Sequence, residues 1–462
     1  MKMIKSFLVL FFAFSVSFLN AQEQQTYSLT LDEAINYALQ HNKTLLNARG
    51  EVASSTEAVR EARSSGLPQI SGSLDFMTYF NYEMKFEFGS SSEGTPIPDI
   101  TKPPFDDGDR AVLGMMGSMF SSEPIIMDNQ MSGAVSVSQL IFSGQYWAGI
   151  EMAKIARNLA NQNVVRTEQD VKEGVINSYY MILLTEQNLR ILNDNINNLN
   201  ETLQHTENMY KTGLMEITDV DQLRITVSQL KNAQKSVERT IQMGYNMLRF
   251  QLGADPSAKI TLNANLETIL NEIDPASALD YSFDVTNNIN YSLTESMVKL
   301  GEKQVGLQNW AYAPTVAGFY SYTKKIITTG FDMTPEHLAG FNASIPIFSG
   351  GARRARVNQA KVALDIAKRN QEMVREQLET QKNQMLYNYQ NALENYQTQK
   401  ENVEVAGRVY KNIQNKYQQG MMSSLDLTQA SNNLLNAESN YMSAVLTLLQ
   451  AQTSLNKLYN KI

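Results

Sequence analysis

Two stretches of this chain space their apolar residues by threes and fours over a length well beyond an ordinary helix. In the first, Leu189, Leu192, Ile196, Leu199, Leu203, Thr206 and Tyr210 fall on one seam. In the second, Tyr396, Gln399, Val403, Ala406, Tyr410, Ile413 and Tyr417 repeat it, each 207 residues after its counterpart. This spacing marks a helix that packs lengthwise against another helix. Both seams end at Tyr-x-x-Gly, where glycine can take the left-handed conformation that closes a helix. A returning seam follows each turn, clearest as Ala430, Leu434, Ala437, Tyr441, Ala444, Leu448, Ala451, Leu455 and Leu458. Each half of the chain is therefore expected to hold an antiparallel helical hairpin. The incoming helices, from about Tyr146 to Tyr210 and from about Ala352 to Tyr417, contain no proline. At 1.5 Å per residue, ~65 residues reach roughly 100 Å, the length of a spacer and not of a compact domain.

Between helices the period changes from near four to two. Val135, Val137 and Ile141 alternate with Ser136, Ser138 and Leu140, while Phe341, Ala343, Ile345 and Ile347 alternate with Asn342, Ser344 and Pro346. These patterns predict strands with one apolar face. Each is the second strand of a pair. The first strands begin at Leu67-Pro68-Gln69-Ile70 and Ala313-Pro314-Thr315-Val316, where proline stops the preceding helix, and the earlier one continues through Leu74, Phe76 and Phe80. Both tryptophans flank these strands, Trp147 after the second and Trp310 before the third, with Tyr146 and Tyr312 beside them. Two readings fit these rings: an interfacial girdle at a membrane rim, or packing at a helix-strand junction.

The strand exits also repeat. Gln139-Leu140-Ile141-Phe142-Ser143-Gly144 returns 206 positions later as Ile345-Pro346-Ile347-Phe348-Ser349-Gly350, and Tyr210-Lys211-Thr212-Gly213-Leu214-Met215 returns as Tyr417-Gln418-Gln419-Gly420-Met421-Met422. Landmarks holding nearly one offset over such a distance indicate duplication of a whole unit. The expected organisation is a first repeat over 22–253, a linker over 254–281 and a second repeat over 282–462. A long extracellular loop, rich in proline, glycine and serine, is expected over 84–131.

Composition narrows the setting. Residues 1–21 read as a secretory signal, with Lys2 and Lys5 ahead of an apolar stretch from Ser6 to Leu19 and small or polar residues after it. Removing it takes the formal charge from −8 to −10, a poor match to nucleic acid. There is no cysteine, hence no disulfide, thiolate metal site, cysteine nucleophile or lipidated cysteine. After residue 21 no window approaches the ~20 apolar residues of a spanning helix, so crossing a membrane requires a β-barrel. Four strands cannot close one, because about eight is the minimum for bacterial outer-membrane barrels. Either the chain oligomerises or it is not a barrel.

With these pieces in order, the sequence resembles the TolC family of outer-membrane efflux proteins over nearly the whole mature chain. The residues that carry the resemblance are Leu29-Thr30-Leu31-Asp32-Glu33-Ala34-Ile35, the Leu67-Pro68-Gln69 strand entry, both Ile-Phe-Ser-Gly exits and both tips, above all Gly213-Leu214-Met215-Glu216-Ile217-Thr218-Asp219-Val220. The resemblance implies a mostly α fold with a β-barrel part: duplicated long helical hairpins forming an α-barrel, and four strands per protomer in a 12-stranded trimeric transmembrane barrel. It also implies a homotrimer set in outer-membrane lipid and reaching into the periplasm. As partners it implies a periplasmic adaptor (membrane fusion protein) and an inner-membrane transporter, with a passive duct serving an efflux pump or a type I secretion system. The lack of cysteine matches the unlipidated branch. The tips around Tyr210, Gly213, Asp219, Tyr417, Gly420 and Asp426 would form the periplasmic entrance. On sequence alone Asp219 and Asp426 are better explained as carboxylates near helix starts, where the helix dipole favours them. The chain departs from the family pattern at Gln429, where a second acid is expected, and at Met422, where a basic residue is expected.

No enzyme signature or cofactor motif competes with this reading. His41, His205 and His337 fall in different expected elements, and Gly350-Gly351 lacks the residues that complete a phosphate loop. Asp106-Asp107-Gly108-Asp109 lacks the remaining ligands of a calcium loop and reads as a solvated turn. Met115, Met116, Met119, Met127 and Met131 are soft enough for Cu(I), but fit gap-filling packing better. The rival class is a soluble periplasmic coiled-coil scaffold or pump adaptor, which also uses long hairpins.

Overall fold

The computed structural model describes residues 26–78, 80, 82–84, 106–119, 125–127, 129–264, 266–271, 282–327 and 335–462. The expected signal segment lies outside them, as do Pro96, Pro98, Pro103 and Pro104 of the long loop. In chain order the elements are β1 (Thr26–Leu29), α1 (Leu31–His41), α2 (Lys43–Ser64), β2 (Gln69–Met77), β3 (Tyr82–Met84), α3 (Asp107–Met119), β4 (Ile125–Met127) and β5 (Gln130–Phe142). They continue as α4 (Gly144–Lys211), α5 (Ile217–Leu252), β6 (Lys259–Leu262), α6 (Leu266–Asn271), a 3-10 turn at Val285–Asn287, α7 (Ile289–Trp310), β7 (Thr315–Ile327), β8 (His337–Ser344), α8 (Ala352–Gln418) and α9 (Ser424–Leu458). The chain divides into two compact units. One comprises residues 59–151 and 304–358; the other comprises the residues up to 58 with 152–303 and 359–462.

The first unit holds a four-stranded antiparallel sheet in the order β2-β5-β7-β8. Its register sorts the side chains, because residues paired across strands share a face. Ile70, Leu74 and Phe76 pair with Val137, Gly133 and Met131; Val137 and Val135 pair with Tyr320 and Tyr322; and these pair with Ala339 and His337. The opposite face takes Gln69, Ser71, Ser73 and Asp75, then Ser138, Ser136, Ala134 and Ser132, then Phe319, Ser321, Thr323 and Lys325. One face is thus aliphatic and aromatic, and the other mostly hydroxyls, with Ser136 Oγ 2.9 Å from Ser321 Oγ. Both edges, β2 and β8, lack a strand neighbour among the described residues.

Three expectations change in this unit. β2 ends at Met77, short of Phe80. The last strand stops at Ser344, leaving Ile345 and Ile347 outside it; Pro346 has no N–H to give to a ladder. Within the expected long loop over 84–131 stand α3 and β4, the latter paired with β3 at the loop's start, and its last two residues belong to β5. Asp106-Asp107-Gly108-Asp109 proves to be a helix start. The Asp109 N–H donates to Asp106 Oδ1 at 2.7 Å, and the Asp106 N–H donates to Asp109 Oδ2 at 3.3 Å, a reciprocal cap that satisfies donors a new helix leaves free.

The second unit is built on the two hairpins. The expected long helices appear as α4, 68 residues, and α8, 67 residues. In the first hairpin Leu192, Ile196 and Leu199 of α4 bury against Leu223, Val227 and Leu230 of α5. In the second, Tyr389 and Ala392 of α8 meet Leu448 and Leu455 of α9, and nearer the turn Tyr410 and Tyr417 meet Leu427, Ala430 and Leu434. Leu184 of α4 packs against Val445 and Leu449 of α9, joining the hairpins. Lys457 strengthens this join by reaching Asp170 at 2.5 Å and Glu173 at 2.6 Å.

The expected linker over 254–281 carries structure of its own at the base of this unit. Residues 259–262 form β6, which pairs in parallel with β1, and α6 follows. Leu29, Ile260, Ala34 and Ala38 then close over Val175, Tyr179, Leu248 and Leu252 in one core. The buried Tyr179 hydroxyl donates to the Leu29 carbonyl at 3.1 Å. Gly253 makes the contact possible. It ends α5 at φ 70°, and a Cβ there would lie 2.2 Å from the His41 carbonyl oxygen. Gly213 has φ 82° but open space around it. Gly253→Ala is therefore expected to destabilise the fold by more than about 1 kcal/mol, and by more than Gly213→Ala. Denaturation midpoints of the two variants in detergent check the order.

Candidate functional site

The hairpin turns are built alike. Gly213 (φ 82°) and Gly420 (φ 73°) sit just past the incoming helices. Gly213 and Leu214 donate their N–H groups to Tyr210 and Met209 carbonyls, and Gly420 and Met421 donate theirs to Tyr417 and Lys416, all at 2.9 Å. This double closure satisfies carbonyls that a helix end leaves free, and it needs a residue at positive φ. The returning helices then start on matched caps. The Glu216 N–H donates to Asp219 Oδ2 at 3.3 Å, and Ser423 donates its N–H and its hydroxyl to Asp426 Oδ2 at 3.1 and 2.7 Å.

From here the duplicated residues diverge. Tyr417 is 1 % exposed and Tyr210 is 44 % exposed. The Tyr417 Oη lies 2.6 Å from Thr206 Oγ1 on the other hairpin. Thr206 spends its single proton on the Thr202 carbonyl at 2.9 Å, so Tyr417 is the donor of the pair. Burial pushes the Tyr417 phenol up; the Thr206 bond offsets part of this, and the Asp219 charge adds to it. Asp219 also ties the hairpins together, its Oδ1 accepting from the buried Ser424 hydroxyl at 2.5 Å. Asp426 stays within its own turn, where the Ser423 hydroxyl and then its N–H hold the carboxyl below the usual aspartate range.

The six expected tip residues thus fall into three groups: Gly213 and Gly420 close the helices, Asp219 and Tyr417 link the hairpins, and Tyr210 and Asp426 do not. Thr206, Ser423 and Ser424 take part without having been singled out as entrance residues. The Ser423-x-x-Asp426 spacing, a capping box read from sequence, could have found the first serine. Among the described residues no ion pair joins the tips; Arg224 bonds Glu207 and Asp221 within the first hairpin. Met422 packs beside the Tyr410 and Tyr417 cluster.

The four candidate rim aromatics also separate. The Tyr146 ring lies so close over Gly66 that a Cβ there would clash, and its hydroxyl donates to the Arg63 carbonyl at 3.1 Å. Trp310 covers Gly144 in the same way. Even so Trp310 and Tyr312 keep about half of their surface, and Trp147, edge-on to Tyr146 at 5.1 Å, is 63 % exposed. Arg353 sits 6.0 Å from the Tyr312 ring centre. The histidines lie apart: His41 stacks on Tyr37 at 4.1 Å, and His337 lies 2.8 Å from the Tyr320 hydroxyl.

Two very long helical hairpins, each preceded by a strand pair with one apolar face, define the class of outer-membrane ducts. Comparison with known proteins agrees. The family model described as outer membrane efflux protein matches residues 119–254 and 294–461, more than half of the chain. The chain belongs to the outer membrane efflux protein family. It is 19 % identical over 341 residues to outer membrane protein TolC of Vibrio cholerae, covering 72 % of this chain and 68 % of that protein. In fold it is similar to the outer membrane protein VceC from Vibrio cholerae (TM-score 0.67, 15 % identity, 93 % of this chain and 95 % of that one). It is likewise similar to CusC (TM-score 0.71, 14 % identity, 94 % and 93 %) and to the CmeC outer membrane channel of Campylobacter jejuni (0.69, 16 %, 96 % and 90 %). The protein is an exit duct of the outer membrane with a periplasmic extension, and the soluble scaffold alternative falls away.

Tyr417→Phe removes a buried donor while Thr206 keeps its Thr202 bond, so it should cost about 1 kcal/mol. Tyr210→Phe, at an exposed ring, should stay within about 0.5 kcal/mol of the parent. Guanidinium titration of both checks the contrast. Asp426 adds a pH signature. Its carboxyl is depressed in the fold, so the stabilisation is present above the ordinary aspartate value of about 3.9 and is lost as pH falls through the folded value. Amide exchange of the 420–430 turn should rise in acid relative to its intrinsic rate, and Ser423→Ala should flatten that rise.

Proposed function

We propose that three copies of this chain close one 12-stranded barrel, and that the duct so formed is passive, not an enzyme, and is driven by an inner-membrane transporter through a periplasmic adaptor. The observation that carries this reading is the pair of open edges, β2 and β8, on a four-stranded sheet. In hydrocarbon an unpaired edge has no water to bond, and four strands are too few to close on themselves. With the apolar face outward to lipid, the hydroxyl-rich face lines the lumen. Trp147, Trp310 and Tyr312, with Tyr146 packed behind them, serve as the periplasmic rim.

The helices support the same assembly. α5 leaves Ile225, Met243, Met247 and Phe250 exposed, and these fall on one face of the helix. α8 leaves Val362, Ile366, Met373, Tyr387, Val405 and Val409 exposed, again on one face. Measured from the turns at 1.5 Å per residue, Ile225 and Val409 both stand about 12 to 14 Å up, and Met247 and Tyr387 both about 45 to 47 Å up. Matching heights on two different helices suit a head-to-tail ring, in which α5 of one copy meets α8 of the next. The exposed Leu214, Ile217, Met421 and Leu425 at the tips offer the adaptor an apolar landing surface.

At the entrance Asp219 and Tyr417 hold the two hairpins of each copy together, and three Asp426 carboxylates on the tips draw cations. Tyr210 and Asp426 are free to face the opening, while Gly213 and Gly420 set the turns.

The chain has no cysteine, so engineered pairs report cleanly. Met247→Cys with Tyr387→Cys in one chain should oxidise to a covalent trimer; only dimers, or no cross-link from membranes, would overturn the ring. Planar-bilayer recording tests the entrance. Asp426→Asn should lower cation selectivity, and Asp219→Asn, which weakens the inter-hairpin tie, should raise open probability. Unchanged behaviour in both would return these aspartates to helix capping.

A further inference from the structure

The exit from β8 into α8 joins an exposed apolar segment to a run of arginines. Ile345, Ile347 and Phe348 follow the last strand at 64 %, 92 % and 87 % exposure. They continue the alternation of Phe341 and Ala343, which pair with Gly318 and Val316 on the apolar side of the sheet. Soon after them come Arg353, Arg354 and Arg356. No acidic residue occurs between Glu336 and Asp365, although the chain as a whole has a formal charge of −8.

These arginines have no counter-ion. Arg353 folds back over the apolar segment, its Nη1 donating to the Pro346 carbonyl at 3.3 Å, beside the Tyr312 ring. Arg354 and Arg356 are exposed. Among the described residues none of the three forms an ion pair. The duplicated exit carries no such charge. At the 206-residue offset Trp147, Ala148 and Ile150 stand where the arginines do, and Ala148 and Ile150 are buried. The second exit thus replaces a packed helix start with an exposed cationic one.

We propose that this exit is a docking surface for anionic phospholipid of the periplasmic leaflet, with Ile345, Ile347 and Phe348 against acyl chains and Arg353, Arg354 and Arg356 on the phosphates. Apolar side chains, aromatic rings and then cations follow the layering of a membrane surface. A headgroup layer is about 5–8 Å thick. Arg353 to Arg356 spans about 4.5 Å along a helix, so all three reach one layer whatever the tilt of α8. Guanidinium meets phosphate through two parallel N–H bonds. A soluble anion would leave Ile347 and Phe348 in water. A second copy seated at the open β8 edge by its β2 would bring the end of α2, where Arg60 and Arg63 balance Glu57 and Glu61, and so no net negative charge. The proposal rests on Trp147, Trp310 and Tyr312 forming the periplasmic rim.

Trp147 and Trp310 are the two tryptophans of the chain, so lipids brominated on their acyl chains report on the rim by quenching fluorescence. Each arginine near a membrane surface favours anionic lipid on the order of fivefold. The full chain in vesicles of phosphatidylcholine and phosphatidylglycerol should therefore prefer brominated phosphatidylglycerol about fivefold in relative association constant, and less as salt rises from about 0.05 to about 0.5 M. Arg353→Gln, Arg354→Gln and Arg356→Gln together should bring the ratio close to one. Lys231→Gln, Lys235→Gln and Arg239→Gln, which remove three exposed charges from α5, should leave it unchanged. A ratio near one in the parent, or a preference that survives loss of the three α8 arginines or vanishes with the three α5 charges, overturns the docking surface alone. So does a changed assembly state of the α8 variant in detergent, which would assign the arginines to contacts between copies. Absence of quenching by either brominated lipid refutes the rim, and the docking surface with it.

Discussion

An unpaired strand edge cannot be left in hydrocarbon, and the rest of this molecule follows from that constraint. Among the described residues no helix is long and apolar enough to cross a membrane. Among the same residues the four-stranded sheet ends in two open edges, β2 and β8. Edges of this kind, placed in hydrocarbon, need further strands to pair them. The register gathers Ile70, Leu74, Phe76, Val135, Val137, Tyr320 and Tyr322 on one face, with Phe319 and Leu338 on the other, and a one-residue slip of β5 would turn Val135 and Val137 to the hydroxyl side.

Duplication is the economical way to meet the constraint. Each half supplies a strand pair and a hairpin, so each half needs only short connections from strands to helices. The halves have nevertheless specialised. Tyr417 is locked in the seam while Tyr210 is exposed, and Asp219 holds the neighbouring hairpin while Asp426 caps its own helix. Two equivalent surfaces cannot both be inside when two hairpins pack side by side. Whichever faces the partner loses its water and needs an internal bond.

The joins between hairpins show how those bonds are graded. At the base Lys457 sits between Asp170 and Glu173, a charged junction suited to a fixed end. Toward the tips the ties are single hydrogen bonds from hydroxyls or an amide. A single exchangeable bond contributes about 1 kcal/mol, so a few of them can be broken together without unfolding the helices, whose own seams stay buried. The joins at the base and near the tips therefore differ mainly in the charged Lys457 junction, which among the described residues only the base has.

The sequence by itself determined the long helices, their turns and the strand pairs, because heptads, period-two alternation, prolines and glycines are local properties of the chain. α4 and α8 ran within a few residues of their expected bounds, and Gly213 and Gly420 took the positive φ their place required. The tip residues were legible as a neighbourhood but not as contacts. Only the tertiary structure decided that Tyr417 donates to Thr206, that Ser424 bonds Asp219, and that β1 pairs with β6 across more than 200 residues. Four-residue strands carry too little alternation to announce a partner. Which of two repeated side chains is buried depends on the surface it meets, and that surface lies elsewhere in the chain.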